Sequence, residues 1–197
     1  AATDTVAEAF TVGAFAGVAN GSFEDYDLAE RMGTAVWGAA FYELPGWNEA
    51  HNNLIEIMTV DPHDGSNAID LQEHLDTGAG ETNQETQANL TLSQTIAIDP
   101  FTPMTVSIYA KASSDWINED ENEPFKLVWV SSAGRVERTI RPTSGDWTCF
   151  EMPVPAAMDA AVTDGVLTVD MEGDGGTNKS GGPHADTIAM SACPSSG

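Results

Sequence analysis

An all-β, two-sheet antiparallel β-sandwich with long loops at one end is the fold class predicted for this chain. Three observations carry the prediction. Apolar and polar residues alternate with a period of two over most of the length. The alternating runs are short, rich in β-branched and aromatic residues, and separated by turn signals. Stretches that lean towards a helix are confined to residues 25–32 and 156–161, about two turns each at most.

The elements follow in order. Residues 1–19 form an apolar lead-in (Val6, Phe10, Val12, Phe15, Val18), read either as an extra edge strand or as an arm that docks on something else. The sandwich domain is expected over residues 20–197, a length that buries a substantial core. Asn20-Gly21-Ser22-Phe23-Glu24-Asp25 is a turn opening into a strand. The next strand is expected at 53–60, closed by the turn Asp61-Pro62-His63-Asp64-Gly65 and followed by a strand at 67–71. In 89–98, Leu90, Leu92, Gln94 and Ile96 fall on one face; in 104–110, Met104, Val106, Ile108 and Ala110 face the core. Further strands are expected at 125–131, 135–141, 147–154, 166–171 and 186–193. The nearly all-apolar Leu127-Val128-Trp129-Val130 reads as a central strand. Hairpin turns are expected at 132–135 and 144–146, and long loops at 71–88, 113–123 and 172–183.

Charge restricts the partners. Seven Lys and Arg stand against 31 Asp and Glu, a formal net charge of −24. Such a surface repels phosphate backbones and anionic lipid, which disfavours nucleic acid and membrane surfaces. No apolar run is long enough for membrane insertion. Self-repulsion at this density fades as salt shortens the Debye length, which fits a marine or halophilic setting. The start, Ala1-Ala2-Thr3-Asp4, has neither a basic nor an apolar leader segment, compatible with a removed signal peptide or with loss of Met alone. Cys149 and Cys193 lie in separate candidate strands and are compatible with one disulfide or with two buried thiols.

The order of Asn20-Gly21-Ser22-Phe23-Glu24, Pro45-Gly46-Trp47, Asp64-Gly65-Ser66-Asn67-Ala68-Ile69-Asp70-Leu71, Leu92-Ser93-Gln94-Thr95-Ile96, residues 104–110, Asp146-Trp147-Thr148 and Ala185-Asp186-Thr187-Ile188 resembles the carbohydrate-binding modules of the galactose-binding-like group. The resemblance covers residues 20–193 and implies a jelly roll. It also implies one structural calcium between the first-strand turn and the last strand, with Glu24 and Asp186 as side-chain ligands. Carbonyls around Asn20 and from Asp64 to Asn67 would complete the shell. Such modules usually carry two adjacent acidic residues before the last strand, where this chain has Ala185-Asp186. Calcium chemistry suits the proposal, since it takes six to eight oxygens and mixes carbonyls with carboxylates.

His51, His63, His74 and His184 are scattered, and no Gly-x-Ser-x-Gly or His-Glu-x-x-His pattern occurs, so the chain is read as non-catalytic. Sugar binding needs an aromatic platform beside polar groups. Trp116, among Asp115, Asn118, Glu119 and Asp120, is the first candidate, and Trp37 the second. Gln94, Tyr109 and Arg138 are candidates on a concave sheet face, while Trp129 and Trp147 are expected in the core and Trp47 at one end of it. Two functions compete. One is a calcium-stabilised carbohydrate-binding or adhesion module that takes a glycan or polysaccharide and is secreted. The other is a structural protein of a virus particle, a capsid decoration, cement or fibre protein at the virion surface. Its arm would anchor it to neighbouring subunits or to a second copy in a homo-oligomer.

Overall fold

The computed structural model describes residues 17–25, 33–34, 38–41, 44–50, 54–59, 61–76, 82–112, 124–171 and 183–194. These hold thirteen strands and no helix. The strands are β1 Gly33–Thr34, β2 Gly38–Phe41, β3 Asn48–Glu49, β4 Leu54–Met58, β5 Ala68–Asp76, β6 Thr82–Asn89, β7 Thr91–Ala97, β8 Met104–Lys111, β9 Phe125–Ser131, β10 Gly134–Ile140, β11 Thr148–Val154, β12 Asp164–Asp170 and β13 His184–Ala189.

They form two sheets. The larger has eight strands in the order β1-β2-β4-β5-β13-β8-β11, with β6 also paired to β5; the smaller runs β10-β9-β12-β7-β3. Every pairing is antiparallel. The chain's last strand is therefore an interior strand of the larger sheet, which needs the early strand β5 on one side and β8 on the other.

The period-two pattern explains the layers. In β7, Leu92, Gln94 and Ile96 are buried while the residues between them are not. In β9, Phe125, Leu127 and Trp129 face the core, and that strand lies between β10 and β12. From the larger sheet, Ile57, Ile69, Leu71, Val106 and Ile108 meet Leu92, Leu127, Leu167 and Val169 of the smaller one in a single cluster. Each such side chain contributes about 1.5–3 kcal/mol by leaving water. Trp47 closes one end, its ring centre 6.0 Å from that of the buried Phe23.

Three expectations change. Much of residues 71–88, read as a loop because it is polar, belongs to β5 and β6, which pair from Gln72↔Asn89 to Asp76↔Thr82. A ladder needs only backbone N–H and C=O groups, so a strand at a sheet margin can be polar throughout. Residues 156–161 form turns instead of a helix. Trp147 is only half-buried and precedes β11. Trp37, Trp116, His51, the loops 113–123 and 172–182, residues 26–32 and residues 1–16 of the expected arm lie outside the described residues. At the arm's end, Ala19 is held to the sandwich by the Gln94 side chain. Cys149 of β11 and Cys193, beyond β13, are joined by a disulfide.

A carboxylate clasp and a candidate binding face

The turn 63–67 is held from both ends by carboxylates that are remote in sequence. Glu24 Oε1 accepts the backbone N–H groups of Ser66 (2.7 Å) and Asn67 (2.9 Å), and its Oε2 accepts the Asn67 amide (3.0 Å). Asp186 Oδ2 accepts the N–H groups of His63 (2.8 Å) and Asp64 (3.0 Å); its Oδ1 accepts the N–H of Thr187 (2.6 Å). Backbone sterics fix the fit. A Cβ on Gly65, at φ 63°, would lie 2.3 Å from Glu24 Oε1, and one on Gly21 would lie 2.1 Å from the Ile188 carbonyl. That carbonyl's own residue donates its N–H to the Gly21 carbonyl at 2.8 Å, which stitches the first turn to the last strand.

The contacts that close this arrangement are hydrogen bonds donated by N–H groups. The lone pairs of Glu24 and Asp186 face N–H donors, whereas a calcium site needs oxygens converging on one point. Of the expected carbonyl contributors, that of Asn20 is engaged. Asn20 closes its own turn through Asp25 and Pro45, and its carbonyl accepts from Phe23 and from the Trp47 indole. Asp64 caps Gly65, and Asn67 donates to Glu24 and to the Phe23 carbonyl. Among the described residues no group of three or more His, Cys, Asp and Glu could hold a metal. Hydrogen bonds to charged acceptors suffice to close the clasp. Burial pushes the Asp186 carboxyl above the usual carboxylate range, and the bonds from Asp64, Thr187 and His63 only partly offset it.

Beside the clasp lies a group of aromatic and charged side chains on the outward face of the larger sheet. In β8, Tyr109 and Lys111 alternate with the core residues Ile108 and Ala110. Register aligns Asp70 of β5, His184 of β13 and Lys111 of β8 in one row, and Glu56 of β4 is the backbone partner of Asp70. Asp70, His184 and Lys111 are buried although all are polar. The Lys111 ammonium donates to the Asp61 carboxylate and to its carbonyl, each at 2.8 Å, and lies 4.6 Å from the centre of the Trp147 ring. It holds the Asp61 carboxyl below the usual range. The Trp147 indole N–H donates to the same Asp61 carbonyl at 3.0 Å. His63 stacks on Tyr109 with ring centres 3.4 Å apart and meets Trp147 edge-on at 6.0 Å. Burial, with the charge of Lys111 adding to it, lowers the His184 pKa to about 4, so its imidazole is neutral near pH 7. Its Nδ1 has no hydrogen-bond partner.

Backbone strain gathers at the same place. Asp61 has φ 53° and Thr187 has φ 46°, the latter inside the irregularity between Asp186 and Ala189 of β13. A β-branched residue in that region is unfavourable, and each such residue costs about 1–3 kcal/mol. Strain of this kind persists where the surroundings hold it, and here the clasp does.

Among the sugar-site candidates that fall in the described residues, Tyr109 is the one placed on this face. Gln94 points inward and holds the backbone of Ala19 and Gly46 through its amide, so it is structural. Arg138 belongs to β10 of the other sheet, near the Phe150 ring, and shares no surface with Tyr109. Sequence reading passed over Asp61, His63, Lys111, Trp147 and His184. The available signal was the second face of two strands: Tyr109 with Lys111, and His184 with Asp186, each two residues apart.

No protein-family model matches the chain, and no curated protein sequence does. Solved structures do. A cyclase from Fischerella sp. TAU has a TM-score of 0.55 at 14% identity, over 87% of this chain and 93% of that one. The enzymatically active domain of tailspike protein 4 from Bacteriophage CBA120 has a TM-score of 0.50 at 13% identity, over 87% of this chain and 20% of that one. The CBM22-1 xylan-binding domain from Paenibacillus barcinonensis has a TM-score of 0.45 at 10% identity, over 75% of this chain and 88% of that one. At these identities the likeness shows the shared β-sandwich and nothing of activity. It does overturn one expectation: the chain was read as non-catalytic because its His residues are scattered and no catalytic motif occurs, yet the fold is also that of cyclases, which are enzymes. That ground for excluding catalysis falls.

Proposed function

We propose that the chain binds a neutral glycan on the outward face of its larger sheet, beside the clasp. The observation that carries this reading is the half-exposed Trp147, whose indole is fixed by the Asp61 carbonyl next to the stacked His63 and Tyr109 rings. Sugar rings present C–H faces to aromatic side chains and hydroxyls to polar ones, and the face supplies both. The exposed carboxylate of Asp61, held in place by the buried Lys111, borders the rings as a hydrogen-bonding group. A net charge of −24 disfavours uronate-rich or sulfated polymers, which leaves neutral polysaccharides as the ligand class. The Cys149–Cys193 disulfide supports work in an oxidising compartment, as expected of a secreted protein.

A glycan array followed by isothermal titration of the best binder tests the reading. Trp147→Ala should weaken binding roughly tenfold or more, with a cooperative urea transition showing that it is folded. A flat array, or a folded W147A protein that binds as the parent does, sinks it.

A further inference from the structure

The sandwich also has an opening on its core side, far from the face just described. Edge strands β10 and β11 border each other where the two sheets meet. At the end of the sandwich marked by Met104, Val154 and the β9–β10 turn, a cavity of about 250 Å³ opens to solvent. Met104, Trp129, Val136 and Val154 form its apolar wall, and Thr102 and Ser131 also line it, the first hydroxyl donating to the Asp99 carboxylate and the second accepting the Ala133 N–H. It is distinct from the Trp147 face. Met104 and Lys111 begin and end β8, about 23 Å apart along the strand, and their side chains leave opposite faces of the sheet.

Two features separate this cavity from a packing gap. The first is the placement of Trp129. A Cβ on Gly165 would lie 2.1 Å from Cζ2 of that indole, so glycine at 165 lets the ring lie flat against β12 instead of filling the opening. The second is the rim. Phe101 and Met158, next in sequence to the lining residues Thr102 and Ala157, are 56% and 87% exposed. Two large apolar side chains in water beside an apolar opening extend the surface a bound molecule would cover.

We propose that this cavity is a second binding site, for a small uncharged molecule with a flat apolar body and a hydrogen-bonding group at one end. Size sets the scale: the volume accepts on the order of a dozen non-hydrogen atoms and is just below the usual range for ligand pockets. Charge sets the class. Arg135 lines the opening, but its guanidinium is held 2.8 Å from Glu137, beside the register position of the exposed Val130 on the outward side of β10. Among the described residues lining the cavity no cation other than Arg135 occurs to hold an anion, and the net charge of −24 repels one. An apolar body would lie along Trp129, and its polar end would reach the Thr102 and Ser131 hydroxyls.

The test uses 1-naphthylamine, a flat, neutral probe with an amino group at one end, whose emission is sensitised by energy transfer from a nearby tryptophan. Wild-type protein should give saturable, single-site enhancement with energy transfer from tryptophan, and Trp129→Phe should cut that transfer. Ala157→Trp, and independently Ala156→Trp, put an indole into the opening and should weaken the probe roughly tenfold. Trp147→Ala should leave the titration unchanged, so the outcome is separable from that of the glycan experiment. Unsaturable enhancement in the wild type overturns the proposal, as does a probe affinity within about twofold of wild type in either filled variant once its urea transition shows it folded.

Discussion

Asp186 is the residue whose removal should cost the fold most for a polar group. It is fully buried and accepts three backbone N–H groups, from His63, Asp64 and Thr187. Asp186→Ala leaves all three without an acceptor. A stranded buried donor costs about 1–3 kcal/mol. Asp64 is exposed and its N–H can turn to water, and relaxation of Thr187 from φ 46° returns part of the loss. The expected destabilisation is therefore about 3–5 kcal/mol, a large share of the 5–15 kcal/mol typical of a domain. Asp186→Asn keeps one oxygen for His63 and Asp64 but turns an NH₂ group towards Thr187, and about 2 kcal/mol is expected. Glu24→Gln lies at an exposed position, where water replaces lost bonds, and should cost less than about 1 kcal/mol. Urea unfolding measures the series, with a constant slope confirming that the unfolded state is unchanged. The order D186A, D186N, E24Q is the signature. If D186A falls within about 1 kcal/mol of wild type, or E24Q costs more than D186A, the clasp does not hold the turn as described.

The remaining predictions concern ions, protons and sulfur. Because the clasp closes with N–H donors, EDTA should leave the melting temperature unchanged; a fall reversed by added calcium would show that the carboxylates take a metal. His184 has a folded pKa of about 4, below the ordinary 6.5. Its neutral form therefore favours the fold above pH 6.5, and that stability is lost as pH falls towards 4, by about 3 kcal/mol at most. His184→Gln should flatten urea midpoints across this window, and an unchanged slope would refute the assignment. The Cys149–Cys193 bridge spans 44 residues, for which chain entropy gives about 4 kcal/mol. Reduction, or the paired change of both cysteines to serine, should lower the urea transition accordingly, and a loss below about 1 kcal/mol would place the stabilisation elsewhere.

The alternation in residues 89–98 and 104–110 and the apolar run at 127–130 were enough for an all-β sandwich, because a strand with one buried face must alternate and an interior strand can be apolar on both. Asparagine marked the first turn for a local reason, since Asn20 sits at φ 47°, where few residue types are at ease. Glycine at 21 instead answers to the approach of the Ile188 carbonyl from the last strand. The pairing of Glu24 and Asp186 with the turn at 63–67 was legible as a neighbourhood, since first and last strands often meet, but their chemistry was not. Whether a carboxylate meets a cation or an N–H depends on which way the backbone of a remote turn points. Gln94 was legible as a polar residue in an apolar series, and only its partners Ala19 and Gly46 show it to be a structural bond. Trp147 and Trp129 look alike in sequence, each in a strand-like run, yet one closes against Asp61 at the surface and the other lies on Gly165 inside. Periodicity therefore set the layers of this protein, because side-chain direction along a strand is local. The row Asp70, His184 and Lys111 exists only because three distant strands pair in one register, and register across a sheet is decided by the whole fold at once.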